Sequence, residues 1–171
     1  VSQSFGGTER FDPSHHETAT FDSGNEMLDR WLVRYAGQSE RRDAARTFVA
    51  TASGGTVVAY YTLVAGEIAH ADATGPVRSG MSRHFPIPAA LLARLAVDKR
   101  HQGHGLGAAV LSDALRRVSV AAEQVAVRAV VVHAFDENAV TFYERFGFRA
   151  LGATPRTLMV TLAELRAAGY P

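Results

Sequence analysis

The chain reads as an α+β domain, and three stretches carry that reading. Residues 91–115, LLARLAVDKRHQGHGLGAAVLSDAL, pass from an apolar segment through a basic turn, with glycines at 103, 105 and 107, into an alanine- and leucine-rich segment. Residues 47–51 and 57–65 are β-rich runs on either side of Ser53-Gly54-Gly55, which predicts an antiparallel hairpin. Residues 125–134, VAVRAVVVHA, are apolar and β-branched, as a central strand buried on both faces requires. At 171 residues the chain fits one domain, 1–171, large enough for a substantial core.

Taken in order, residues 1–23 lack a clear period and include Pro13 and His15-His16, so they read as exposed loop. Adjacent histidines do not face the same way on a helix or strand, and no metal site is expected there. Residues 25–36 place Leu28, Trp31, Leu32 and Tyr35 at helical spacing, with Ser23 or Asn25 as the cap. Residues 38–46 carry Arg41, Arg42 and Arg46 among small and polar residues, either a solvated helix end or an anion patch. Residues 68–88 have no period and hold three prolines, which predicts a long loop with Arg78, Arg83 and His84 in it. In 106–118, Gly107, Val110, Leu111, Ala114, Leu115 and Val118 recur along one helical face. After 125–134, Asp136 caps a short helix running to Phe146 with Gly147 as its stop. Residues 148–151 and 156–160 read as a closing strand pair, and 161–169 as a terminal helix.

Composition narrows the chemistry. With no cysteine, disulfides, thiolate catalysis and Cys-type zinc sites are excluded. No apolar run reaches about 18 residues and no start resembles a signal peptide, so a cytoplasmic protein without a membrane anchor is expected. The net charge of +1 does not announce a nucleic-acid binder, so any polyanion would need a local basic patch. Lys99 is the single lysine against seventeen arginines, a bias toward planar, bidentate contacts.

The glycine turn is the informative motif. A helix start leaves about four backbone N–H groups without intrahelical partners at the positive end of its dipole, a ready anion site. A P-loop would need Lys-Ser or Lys-Thr after the glycines, and neither follows. A dinucleotide fingerprint is met by Gly103-x-Gly105-x-x-Ala108, with Glu123 a loose candidate for its acidic residue. A third pattern covers more residues: Arg100-x-x-Gly103-x-Gly105, preceded by Leu95-Ala96-Val97. A turn with no ligand has no need of three glycines, each costing chain entropy.

That third pattern resembles the acetyl-CoA pyrophosphate loop and fourth strand of the GNAT family of N-acetyltransferases. Downstream, Asn138-Ala-Val-Thr-Phe-Tyr-Glu-Arg-Phe-Gly-Phe148 resembles the family's helix after strand five, with its tyrosine and its Gly-Phe end. The resemblance implies a mixed, mostly antiparallel sheet of six to seven strands, splayed between strands 4 and 5 for the pantetheine arm, and about four main helices. It implies acetyl-CoA as the cofactor. Backbone groups of Leu95 and Val97 would pair with pantetheine, and the N–H groups of Gly103, His104, Gly105, Leu106, Gly107 and Ala108 would hold the pyrophosphate, with Arg100 adding charge. Asn138 would contact pantetheine. Tyr143 stands where the family places the phenol that protonates the leaving thiolate.

The general base is a departure. Many relatives carry a glutamate on strand four, whereas this strand reads Leu92-Ala93-Arg94-Leu95-Ala96-Val97, and Arg94 accepts no proton. His133 is a candidate, although a single histidine there is more often a hydrogen-bonded structural residue. A lysine amine, pKa about 10.4, must be deprotonated at real cost, while an α-amine at about 7.7–8.0 is already partly neutral.

The runs Arg46-Thr-Phe-Val, Ala59-Tyr-Tyr-Thr-Leu, Ala93-Arg-Leu-Ala-Val-Asp98 and Phe142-Tyr-Glu-Arg-Phe-Gly-Phe148 resemble the acetyltransferase toxins of bacterial toxin–antitoxin pairs, the TacT and AtaT group. This resemblance implies acetylation of the α-amino group of aminoacyl-tRNA, a block to translation, a homodimer and a ribbon-helix-helix antitoxin. Arg78, Arg83 and His84, backed by Arg41, Arg42 and Lys99, are the candidate tRNA-binding residues, and Trp31, Tyr60, Tyr61 and the long loop would shape the aminoacyl pocket. Two other classes stay open: a GNAT acting on a small-molecule amine or a protein N-terminus, and an acyl-CoA-binding or antitoxin-complex regulatory module without catalysis.

Overall fold

Residue Asn25 shows how local chemistry sets the elements: its side chain accepts from the N–H groups of Met27 and Leu28, starting a helix at Glu26. The computed structural model describes residues 6–171. Upstream, the stretch read as loop carries a two-residue strand, β1 (Glu9–Arg10), too short for any period to register. His16, expected at the surface, is buried. Its Nδ1 accepts from the Asp12 N–H at 2.9 Å, Nε2 lies 3.1 Å from Glu9, and the ring stacks on Phe11 with centroids 5.8 Å apart. His15 remains exposed beside Asp12.

The helix that Asn25 caps is α1 (Glu26–Arg34), followed by α2 (Ala36–Arg41). Ser23, the other candidate cap, instead donates its hydroxyl to Asp29 at 2.5 Å. The expected hairpin forms from β2 (Arg46–Thr51) and β3 (Val57–Ile68), in register from Arg46↔Leu63 to Ala50↔Ala59 with a bulge at Ala50/Thr51. At the reversal Gly55 has φ +78°, and a Cβ there would lie 2.5 Å from the His15 carbonyl oxygen, so only glycine fits. The long loop holds one helical turn, α3 (Gly75–Arg78), before β4 (Ile87–Val97).

Beyond β4, one 3₁₀ turn (Lys99–His101) leads through the glycines to α4 (Leu106–Ala121), whose buried face is Val110, Leu111, Ala114, Leu115 and Val118, as its spacing predicts. Strand β5 (Ala129–His133) is shorter than the expected 125–134. Arg128, inside that run, turns its guanidinium to the carbonyls of Pro76, Val77 and Ser79 and so anchors the long loop. Then come α5 (Glu137–Glu144), capped by Asp136, β6 (Arg149–Ala150), β7 (Thr157–Thr161) and α6 (Leu162–Ala167), which opens with a Thr161/Glu164 capping box. Among the described residues six helices form, three of them eight residues or longer.

The seven strands follow the order β1-β2-β3-β4-β5-β7-β6. The parallel pair is β4–β5, which needs the crossover that α4 supplies, and its register runs only from Ala89↔Ala129 to Leu92↔Val132. Strand β4 continues five residues beyond that, to Val97. Among the described residues the β4–β5 pairing stops at Leu92.

Packing divides the chain into two compact units. One comprises residues to Val64 with Ala93–Ala114, and its core joins Phe11, Phe21, Leu32, Val49, Val57, Tyr60 and Ala96. The other comprises Ala65–Leu92 with Leu115–Pro171, and its core joins Ile68, Val77, Ile87, Ala129, Val131, Leu151 and Met159.

Candidate functional site

Within the first unit, the predicted cofactor residues form one continuous strand, turn and helix start. The Asp98 N–H donates to the Val58 carbonyl at 2.8 Å. Successive residues of a strand point their backbone groups to alternate edges, so Val97 and Leu95 turn their N–H and C=O away from β3. That edge can accept an extended ligand as an added strand. One group on it is already engaged: Gln102 donates its side-chain amide to the Val97 carbonyl at 2.8 Å and to the Ser23 carbonyl at 3.0 Å.

The turn is held by Asp98, whose side chain is fully buried. Its Oδ1 accepts from the Arg100 N–H at 2.9 Å and Nε at 2.8 Å, and its Oδ2 from Arg100 Nη2 at 2.7 Å and the Asp22 N–H at 3.2 Å. The Arg100 side chain holds the carboxyl well below the usual carboxylate range, and Asp98 in turn raises the guanidinium. Arg100, expected to lend charge to a pyrophosphate, is therefore committed to shaping the turn, and it also reaches the Thr20 carbonyl at 3.0 Å. Lys99 pairs with Asp22, which keeps that carboxyl low and the ammonium high.

Gly103 and Gly105 have φ +77° and +82°, and a Cβ built on either meets no atom within 4 Å. Their freedom is spent on the backbone path, and the space above them is open. The α4 ladder begins with the Ala109 N–H donating to the Gly105 carbonyl at 3.0 Å, so the N–H groups of Leu106, Gly107 and Ala108 are those that helix geometry leaves over. Gly103, His104 and Gly105 are exposed beside them. The chemistry of this turn fits a diphosphate: backbone donors are left over and no atom lies within 4 Å of a Cβ built on Gly103 or Gly105.

Trp31 and Arg94 add a feature that sequence reasoning did not join. The Arg94 Cζ lies 4.1 Å from the Trp31 ring centroid, and Trp31 stacks on Tyr60 at 6.0 Å and 13°. Tyr60 and Tyr61, expected to shape a substrate pocket, are instead fully buried core. Their hydroxyls donate to the Leu28 carbonyl at 2.8 Å and to Asp113 at 2.5 Å. The adjacent pair gave no sign that both faces of β3 are covered.

Within the second unit, α5 carries Asn138, exposed, and Tyr143, 8% exposed. Tyr143 packs between Phe142, with centroids 5.2 Å apart, and Phe148 at 5.4 Å. Burial pushes its phenol above the ordinary 10.0, so it stays protonated at neutral pH. His133, at the end of β5, shares a 3.0 Å hydrogen bond with Thr157, the structural role expected of it. In the long loop Arg78 is exposed with its guanidinium on the Ala73 carbonyl at 2.6 Å, and Arg83 and His84 are exposed. In the first unit Arg41 and Arg42 are exposed at the end of α2. Arg128, missed by sequence reasoning because it sits in an apolar run, holds the loop that carries Arg78.

Comparison with known proteins agrees with this geometry. A family model described as an acetyltransferase (GNAT) domain matches residues 78–160. The chain is 40% identical over 151 residues to a tRNA-acetylating toxin of Mycobacterium tuberculosis, covering 88% of this chain and 89% of that protein. It is similar to the solved structure of AtaT complexed with acetyl-methionyl-tRNA, with a TM-score of 0.85 at 26% identity over 94% of this chain and 97% of that one. It is also similar to AtaTR bound with AcCoA, with a TM-score of 0.77 at 27% identity over 94% and 96%.

Proposed function

Because the chain belongs to the GNAT acetyltransferase family, whose acetyl-CoA-dependent chemistry it shares, we propose that it is the toxin of a toxin–antitoxin pair and acetylates the α-amino group of aminoacyl-tRNA. The observation that carries this reading is the 40% identity, along nearly the whole of both chains, to a tRNA-acetylating toxin. A cytoplasmic location, where aminoacyl-tRNA is used, is part of this proposal. Among the described residues no helix is long and apolar enough to cross a membrane. A ribbon-helix-helix antitoxin and a homodimer belong to the same proposal.

Acetyl-CoA supplies an acetyl thioester whose leaving group, a thiol of pKa about 8.5, departs readily. The open edge at Leu95 and Val97 holds the pantetheine arm as an added strand, once Gln102 yields the Val97 carbonyl. The N–H groups from Gly103 to Ala108 hold the diphosphate, and Arg100 keeps their turn in shape by gripping Asp98. Asn138, exposed on α5, is the pantetheine contact that the family resemblance implies.

Tyr143 is the proton donor. The substrate nitrogen attacks the thioester carbonyl, forming C–N as C–S breaks, and the phenol hydrogen goes to the departing sulfur. The proton shed by the nitrogen returns to the phenolate, so Tyr143 ends as it began. A phenol held above pKa 10 gives its proton to a thiolate uphill, so it first steadies the developing negative charge as a hydrogen-bond donor, and the proton passes over as the nitrogen sheds its own. No side chain on β4 serves as base, and an α-amine, with pKa about 7.7–8.0, attacks without one.

The test is incubation with labelled acetyl-CoA and, separately, charged tRNA, free amines and peptides. Label on charged tRNA alone is the expected result. Label on amines or peptides but not on charged tRNA would overturn the substrate assignment.

A further inference from the structure

We propose that Arg94, held over the Trp31 ring, binds a backbone phosphate of the single-stranded 3′ end of the aminoacyl-tRNA. This rests on the substrate reading above and adds a specificity-determining residue to it.

Alternation along β4 puts Arg94, Ala96 and Asp98 on one face. Ala96 packs into the core with Leu32 and Tyr60. Arg94, two residues earlier, lies at the margin of that core, half-buried, with its guanidinium 4.1 Å from the Trp31 centroid. The platform beneath it is rigid: Trp31 stacks on Tyr60, and the Tyr60 hydroxyl is tied to the Leu28 carbonyl at 2.8 Å.

Four other arginines of the same unit pair with acids, and Arg34, Arg41 and Arg42 are exposed to water. Arg10 sits on Glu40, Arg30 on Glu26, Arg46 on Asp43, and Arg100 on Asp98. Among the described residues Arg94 has no carboxylate partner, only the Trp31 ring. A half-desolvated cation without a counter-ion is costly, and a leucine would fill the same margin without that cost. The arrangement makes sense if an anion arrives with the substrate. Among the described residues the Arg94 guanidinium makes no hydrogen bond, so its N–H fork, which matches a phosphate bidentately, is available while the cation rests over the ring. The next residue, Leu95, offers its backbone to the pantetheine edge, so the anion is held within one residue of the strand that positions the cofactor.

The experiment compares wild type, Arg94→Gln and Arg94→Lys on two acceptors: the charged tRNA that wild type acetylates fastest in a full panel, and the methyl ester of the same amino acid, which has no phosphate. For Arg94→Gln the expected result is a KM for charged tRNA raised about tenfold, as for a lost bidentate phosphate contact, with the loss confined to that acceptor. The salt dependence of kcat/KM for charged tRNA becomes shallower by about 0.7 in log–log slope, one single-strand phosphate contact. Arg94→Lys keeps the charge without the fork and recovers part of the loss.

An equal fall on both acceptors would mark Arg94 as structural and overturn the proposal, as would an unchanged KM and salt slope. A raised KM for acetyl-CoA instead would assign the phosphate to the cofactor and likewise overturn it. If wild type acetylates no charged tRNA, the substrate reading fails and takes this inference with it. If wild type does so and Arg94→Gln behaves like wild type, the inference fails alone.

Discussion

Replacing Asp98 by Asn tests whether the turn before the glycines is an electrostatic construction. The carboxylate is fully buried and accepts four hydrogen bonds, two on each oxygen. An amide of the same size keeps one oxygen. Whichever way it is turned, its NH₂ faces two donors, so two bonds to a charged acceptor are lost and two N–H groups are left opposed. Discounted for the half-exposed Arg100 side, that comes to about 2 kcal/mol of stability. Urea unfolding reads it directly. A pH series adds a second readout. Because Asp98 titrates below its unfolded value in the folded state, its contribution is fully present above about pH 4 and is lost as the pH falls through the folded pKa. Wild type should therefore lose stability on acidification below about pH 4 more steeply than Asp98→Asn. The variant should also bind acetyl-CoA about tenfold more weakly, because the N–H groups beyond the turn lose their aim. A variant within about 0.5 kcal/mol of wild type, with the same acid limb, would refute the argument.

Tyr143→Phe should lower kcat about 100-fold, the low end for a proton donor because burial holds the phenol's proton firmly, while acetyl-CoA affinity measured calorimetrically changes little. Full single-turnover activity would remove the acid role. Gly105→Ala forces a side chain into φ +82° at a cost of about 1 kcal/mol, and its methyl projects into the open space above the loop, so the KM for acetyl-CoA should rise far more than thermal stability falls. Thr161→Ala removes the cap and half of the capping box of α6 and should cost about 1 kcal/mol in thermal unfolding, with kcat/KM unchanged.

Where local chemistry decides, the sequence was a sufficient guide. The face of α4, the cap at Asp136, the cap at Asn25 as one of two candidates, and the hairpin at Ser53-Gly54-Gly55 all follow from spacing and side-chain type, and each is present. Long-range partners were not legible. Burial of His16 depends on Phe11 and Glu9 arriving around it, and β1 exists only because Phe48 and Val49 are there to pair with it. In Asp98-Lys99-Arg100 the charges are visible, but the 3₁₀ turn that folds Arg100 back onto Asp98 is not. Arg128 looked like a blemish in a buried strand until the loop carbonyls it holds were located.

Arg94 joins these threads. Read as a sequence position, it marks the loss of a catalytic glutamate. In the fold it is a cation that the protein has partly desolvated, set over the Trp31 ring and left without an acid among the described residues. A glutamate in its place would help deprotonate a lysine-like amine and would repel a polyanion. An arginine does the reverse, giving up base catalysis that an α-amine of pKa about 7.7–8.0 does not need and adding attraction for phosphate. The same residue thus serves both halves of the proposed substrate, the weakly basic amine and the phosphodiester chain behind it. Arg94→Glu separates the two effects. Acetylation of charged tRNA should fall well below that of Arg94→Gln because repulsion is added to a lost contact, while a lysine-like amine offered as acceptor should gain. If Arg94→Glu acetylated charged tRNA as well as Arg94→Gln does, the charge at this position would have no bearing on substrate choice.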